Sequence, residues 1–273
     1  MHNKHIWQGI TLSIIITIAG ISGTPEQSQQ IGTVDELVVC LMADPQLVMV
    51  SKTPRYVDMA MNDLKQLDHD FIAVLGDLVQ NRADFYKDYK EKVLDRSDKP
   101  VYSLAGNGDV GAGLSANQEA TGLPLYYTMY KKGIRFIFLC TVSFSGKHNH
   151  ICHLGPKQLA WLERELAADA LATTIIFSHP PIFETTWHSE ERDHFDFPGS
   201  MYLSESAQMR KLFDEYPNIK VYAHGHLHHT YGLMDEYGRD DYHKEGNVLH
   251  ISVERPPTTK AAIFCTSTQI TAP

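Results

Sequence analysis

"FIAVLGD", Phe71 to Asp77, sets a short unbroken apolar run directly before a Gly-Asp pair. A run of this length closed by turn-forming residues reads as a strand buried on both faces. The same form recurs in "ELVVCLM" from Glu36, "VYSLA" from Val101, "RFIFLC" from Arg135, "TTIIF" from Thr173 and "IKVYA" from Ile219. Between these runs lie helix-like stretches: "TPRYVDMAMNDLKQL", "ADFYKDYKEKVLDR", "GPKQLAWLERELAADA" and "SESAQMRKLFDEY". In the third, Pro156 stands at a helix start and Leu159, Leu162 and Leu166 share one face. Strands alternating with helices predict an α/β fold. Towards the end, "NVLHISVE" and "KAAIFCTSTQI" read as consecutive strands with no helix between them. "YYTMY" and "RFIFLC" form a similar pair around Lys131 to Gly133, so the sheet is expected to be mixed.

With 273 residues, 43% of them hydrophobic, the chain can bury one sizeable core. A net charge of -9 and the absence of any long basic run argue against a nucleic-acid binder, which needs cations to neutralise phosphates. At the N-terminus, Lys4 precedes the uncharged apolar run "GITLSIIITIAGISG", residues 9–23, with small residues at Ser22 and Gly23. Residues 1–23 therefore read as an export signal, or alternatively as an uncleaved membrane anchor, followed by a polar linker over 24–35 and a single domain over 36–273. That reading places the protein in the periplasm or outside the cell. Cys40 and Cys140 lie in apolar runs, where cysteine acts as a small buried hydrophobe; Cys152 and Cys265 complete the set, and no C-x-x-C spacing suggests a structural zinc site.

The chemistry gathers at strand ends, where loops of an open α/β fold converge on a ligand. Asp44-Pro45-Gln46 follows the first run, Gly76-Asp77 the second and Gly106-Asn107-Gly108-Asp109 the third; His179 follows "TTIIFS" and Gly225-His226-Leu227-His228 follows "IKVYAH". Singly, each is an ordinary turn or a core histidine. Together, in this order, they supply the carboxylate, amide and imidazole ligands of zinc, manganese or iron. In "VYAHGHLHHT", Val221 to Thr230, His224, His226 and His228 share one parity, so an extended backbone would aim them the same way.

The ordered set resembles the calcineurin-like metallophosphoesterases, whose motifs are D-x-H, G-D, G-N-H-[DE], H and G-H-x-H. "GPKQLAWLEREL" is similar to a helix found in many members. The resemblance implies a four-layer α/β sandwich of two mixed sheets flanked by helices. It also implies two divalent or trivalent ions (Mn, Fe or Zn) bridged by Asp77. One ion would be held by Asp44, Gln46, Asp77 and His228, the other by Asp77, Asn107, His179 and His226. Two cations about 3.5 to 4 Å apart need a shared anion, which a bridging carboxylate provides. His224 and His229 are expected to flank the site or face solvent. The implied reaction is hydrolysis of a small phosphomonoester or phosphodiester by metal-activated water.

Two positions depart from the pattern. Gln46 replaces a histidine, and an amide oxygen is a weaker ligand for zinc-like ions. Gly108 replaces the histidine that assists the leaving group, and glycine transfers no proton. Asp109, His148, His150 and His188 are the candidate replacement donors. A substrate with a good leaving group would need none, and a catalytically weakened metal- or phosphate-binding protein is the alternative. Two loops are candidate rims: residues 180–203, with Trp187 and His188, and "SFSGKHNHICHLGP", whose His148, His150 and His153 are expected to be solvent-exposed, a third metal there being the less favoured alternative. "GNGDVG", Gly106 to Gly111, also satisfies a dinucleotide-binding fingerprint. That reading needs a helix opening at the glycines and an acidic residue about 20 positions on, and neither is expected here. No G-x-S-x-G elbow supports a serine hydrolase.

Overall fold

The computed structural model describes residues 36–47, 53–144, 150–186, 199–228 and 242–253, and the backbone of 12–18 and 264–270. Its strands are β1 (Leu12–Ile18), β2 (Glu36–Met42), β3 (Phe71–Leu75), β4 (Val101–Leu104), β5 (Tyr127–Lys131), β6 (Ile134–Phe138), β7 (Val142–Ser143), β8 (Ile151–Cys152), β9 (Thr174–Phe177), β10 (Ile219–His224), β11 (Tyr242–Glu245), β12 (Val248–Ser252) and β13 (Phe264–Ile270). Its α-helices are α1 (Thr53–Leu64), α2 (Tyr86–Tyr89), α3 (Asn107–Ala112), α4 (Leu114–Thr121), α5 (Gly155–Ala168) and α6 (Ser206–Glu215). A 3-10 turn, Ala83–Phe85, leads into α2, and a π-helical turn, Lys90–Leu94, continues it.

Both main sheets are mixed, as the strand pattern predicts. One runs β1-β13-β2-β3-β4, the other β11-β12-β10-β9-β6-β5, and β7 pairs β8 in a separate ribbon. Within them β2, β3 and β4 are parallel, and so are β6, β9, β10 and β12; β5, β11 and β13 supply the antiparallel pairings.

The unbroken apolar runs follow from burial of both faces of these strands. Leu37, Val39, Leu41, Phe71, Ala73 and Leu75 point inward and meet Phe136, Phe138, Ile175, Phe177, Val221 and Ile251 of the other sheet. The alternate residues, Cys40, Met42, Ile72 and Val74, pack outward on Val57, Met61 and Leu64 of α1 and on Tyr86 and Tyr89. On the opposite side Ile137, Ile176 and Tyr222 pack on Leu162 and Leu166 of α5 and Met209, Leu212 and Phe213 of α6. Helix, sheet, sheet and helix therefore stack as four layers, the architecture implied by the motif order.

One expectation needs correction. A helix does open at the glycine-rich string: α3 begins at Asn107, and α4 follows with Gly122 as a left-handed C-cap. Glycine-dense sequence hides these helices because glycine disfavours helix interiors. The last two strand-like runs are the consecutive strands β12 and β13, which join different sheets. Of the proposed export segment, only the backbone of Leu12–Ile18 is described, a strand parallel to β13; Ser22, Gly23 and residues 24–35 lie outside the described residues. Among the described residues, no helix is long and apolar enough to cross a membrane.

Candidate metal centre

Parallel alignment of β2, β3 and β4, and of β9 and β10, puts all five strand ends on one edge of the sandwich. Hydrogen bonds then join the two sheets there. The His226 backbone N–H donates to Asp44 Oδ2 at 2.9 Å, and His179 Nδ1 lies 2.9 Å from the Leu75 carbonyl. Gly76 permits this second approach, since a Cβ there would stand 2.4 Å from His179 Nδ1. The backbone turns sharply where the ligands project: Asp44, Gln46, Asp77, His226 and His228 all have φ between 37° and 76°. Left-handed conformations at non-glycine residues cost about 1–3 kcal/mol each and persist where a site requires them.

The seven predicted ligands come together as two halves. In the buried half, the Leu75 carbonyl accepts from His179 Nδ1–H, which leaves Nε2 as the ring nitrogen turned to the site. Ser200 O, 2.7 Å from His226 Nε2, fixes the opposite tautomer there and leaves His226 Nδ1 bare. His226 Nδ1 and His179 Nε2 face each other at 3.0 Å. Asn107 Oδ1 lies 2.9 Å from His179 Nε2, and Asp77 Oδ1 lies 3.4 Å from it. Four potential ligand atoms thus converge from four segments of the chain, an arrangement that a cation would complete. Burial, followed by the neighbouring His179, holds the His226 pKa well below its ordinary value, so its ring is a neutral ligand near pH 7.

In the outer half, His228 Nε2 lies 3.1 Å from Asp44 Oδ1, and Asp44, Asp77 and His228 each offer a ligand atom within 4.8 Å of the others. Burial alone would raise the Asp44 carboxyl, but the His228 charge and hydrogen bond outweigh it and lower its pKa to about 2. Gln46 reaches the same place: its Nε2 lies 2.5 Å from Asp77 Oδ2 and 3.1 Å from His228 Nε2. Half a turn of the amide would present Oε1 instead, the end that can ligate a cation. Asp77 faces both halves, with Oδ2 on Gln46 and Oδ1 receiving the Gly108 N–H at 2.6 Å.

The candidate proton donors fare differently. Asp109 is wholly buried and its oxygens are already occupied by Gly106 N at 2.8 Å, Leu78 N at 3.1 Å, Val79 N at 3.3 Å and the Tyr86 hydroxyl at 2.8 Å. It ties the loop after β3 to the start of α3 and does not reach a reacting group. Burial, then the Asp77 charge, pushes its pKa up to about 7. His148 and His188 lie outside the described residues, as do Trp187 and His229. His150 is half-buried, its ring edge-on to His226 at 6.1 Å. His153 is also not solvent-exposed as expected; its Nε2 lies 2.6 Å from Ser143 Oγ. His224 is fully buried beside the Gly225 carbonyl, and burial lowers its pKa to about 4, which rules out a solvent-facing position.

Gly108 is enclosed. A Cβ at this position would lie 2.4 Å from the Val79 carbonyl and 3.3 Å from Asp77 Oδ1. The loop after β3 and the first turn of α3 have closed over the space where a larger residue would project. Motif reading misses this closure, and it also misses the Leu75 and Ser200 carbonyls that set the two tautomers, because backbone groups leave no residue-specific trace. Gly76, Gly106 and Gly225 are the signals in the sequence for close approaches there.

The calcineurin-like phosphoesterase family profile matches residues 39–230, more than half of the chain, and the protein belongs to that family. Its general chemistry is accordingly that of a phosphoesterase. Among solved structures it is similar to a dimetal phosphatase from Danio rerio, at 15% identity and a TM-score of 0.62, covering 84% of this chain and 91% of that one. It is also similar to a purple acid phosphatase from yellow lupin (Lupinus luteus) seeds, at 12% identity and a TM-score of 0.57, covering 87% of this chain and 55% of that one. These likenesses establish the shared fold. No curated protein sequence matches the chain.

Proposed function

We propose that this protein hydrolyses a small phosphomonoester or phosphodiester at the edge where the two sheets meet. Two ions would be held there, one by Asp44, Gln46, Asp77 and His228 and the other by Asp77, Asn107, His179 and His226. When bound, such ions supply positive charge against a phosphoryl group and make a water acidic enough to attack at neutral pH. The protein's own residues do the rest. Asp77 offers its two oxygens to the two halves, the Leu75 and Ser200 carbonyls hold the imidazoles in their ligand tautomers, and the buried half excludes water behind them. The observation that carries this reading is the convergence of His179 Nε2, His226 Nδ1, Asn107 Oδ1 and Asp77 Oδ1 at the edge where the two sheets meet.

Hydrolysis of an aryl phosphomonoester and an aryl phosphodiester, with and without chelator, tests the proposal. Chelator-sensitive turnover supports it, and the preferred ester narrows the substrate. Gly108 favours a second reading, in which the chain binds metal or phosphate and turns over little. Two bound equivalents of metal without hydrolysis would select that reading. We further propose export through residues 1–23, with anchoring through residues 9–23 as the variant form, a small phosphorylated substrate and no stable nucleic-acid partner. The acidic net charge of -9 supports the last point. The mass of the mature N-terminus, with fractionation of producing cells, tests the export and anchoring.

A further inference from the structure

Beside the buried half of the centre, on the far side of the His226 ring, lies a cluster that the hydrolytic reading does not use. His150, Cys152 and His226 each present a ligand atom within 4.8 Å of the other two. Cys152 is fully buried, His226 nearly so, and His150 half-buried. Cys152 Sγ and His226 Nε2 both point at one acceptor, the Ser200 carbonyl, at 3.0 and 2.7 Å, and stand 4.0 Å from each other. Tetrahedral zinc with ordinary bond lengths places a sulfur and a nitrogen about 3.5 Å apart, so the pair needs to close by only about half an ångström. The scaffold around it is firm: Cys152 N–H donates to Gly199 O, and Cys152 O accepts from Ser204 N–H, each at 2.9 Å.

We infer that His150, Cys152 and His226 bind a third cation of the zinc type, next to the dinuclear centre and sharing the His226 ring with it. The donor set decides the class of ion. A thiolate with two imidazoles favours zinc and similar soft or borderline ions, whereas the carboxylates and amides of the neighbouring pair also accept harder ones. On binding, the ion replaces the Cys152 S–H proton and the His226 Nε2 proton, and both leave to solvent. The His226 ring then bridges this cation and the buried half, so filling the cluster perturbs the pair and makes excess zinc an inhibitor. This goes beyond the hydrolytic reading, and the thiolate signal is read without turnover.

The test is a cobalt(II) titration of the full-length protein, followed by ultraviolet absorption and metal content. The wild type is expected to bind three equivalents and to show a thiolate-to-cobalt charge-transfer band. Cys152→Ala is expected to lose the band and one equivalent while keeping two. In case that variant does not fold, His150→Ala alters a half-buried position and is expected to weaken the third equivalent by roughly 100-fold. A wild type that stops at two equivalents with no thiolate band overturns the inference and leaves the dinuclear centre standing. A full band in Cys152→Ala, or unchanged affinity in His150→Ala, overturns it too. Binding of the third ion without the first two would instead count against the hydrolytic reading.

Discussion

His226 and His228 stand two residues apart on one loop, both in left-handed backbone, yet they serve unlike surroundings. His226 is 8% exposed, with one nitrogen held by a backbone carbonyl and the other facing His179, whereas His228 is exposed and its Nε2 meets the side chains of Asp44 and Gln46. The buried half of the centre is fixed by main-chain atoms of β3 and of the segment before α6. In the outer half Asp44 is buried and takes the His226 N–H, but His228 is exposed and meets side chains. On the proposed function, the buried position would hold its ion more tightly than the outer one.

The sharpest way to break this contrast is to remove one histidine from each half. His226→Ala should lower turnover by more than about 100-fold, beyond recovery by added metal, because it removes a ligand from the position that main-chain atoms hold rigid. His228→Ala should cost roughly 10- to 100-fold and recover substantially at high metal concentration. Metal-dependent kinetics of both variants check this, and equal recovery would erase the distinction. Gln46→His should sharpen the contrast from the other side. Imidazole in place of the amide should tighten the outer ion by about 10- to 100-fold, read as a lower metal concentration at half-maximal activity.

Gly108→Ala should destabilise the fold by about 1–3 kcal/mol, because its Cβ would press on the Val79 carbonyl. Thermal unfolding measures that cost. Histidine at this position should not restore leaving-group assistance, since the loop after β3 occupies the space.

The smallest effect lies away from the centre. His250 on β12 is buried, and neither ring nitrogen has a hydrogen-bond partner among the described residues; Glu245 lies 3.6 Å away. Burial, then His224 of β10, His243 of β11 and Arg210 of α6, lowers its pKa to about 3. The folded state thus holds this ring neutral, whereas the unfolded chain protonates it near pH 6.5. Stability from this residue is present above pH 6.5 and falls by up to about 1.4 kcal/mol per pH unit as pH drops towards 3. Denaturant unfolding at pH 7 and pH 5 should show a smaller difference in His250→Phe.

Most of the centre was legible in the sequence because a parallel sheet delivers each strand end to the same edge. Asp44, Asp77, Asn107, His179, His226 and His228 each directly follow, or nearly follow, an apolar run, and the structure brings them together. Residues that act through distant partners were not legible. Cys152 meets His226 across 74 positions of sequence, through a two-stranded ribbon too short to leave a pattern. Asp109 carries a motif position, but burial and four donors convert it into a brace between loops. Helix α3 was hidden by Gly106 and Gly108, where backbone and carboxylate atoms approach too closely for a Cβ, and α4 by Gly113 and Gly122, whose positive φ suits glycine.

The most direct test of the account is the metal content of the wild type and of Asp77→Ala, measured after equilibration with manganese or zinc. Because Asp77 faces both halves, the account predicts two equivalents at the centre in the wild type and the loss of both together in the variant, with turnover falling to background. Retention of both equivalents by Asp77→Ala would contradict the shared carboxylate on which the dinuclear centre rests.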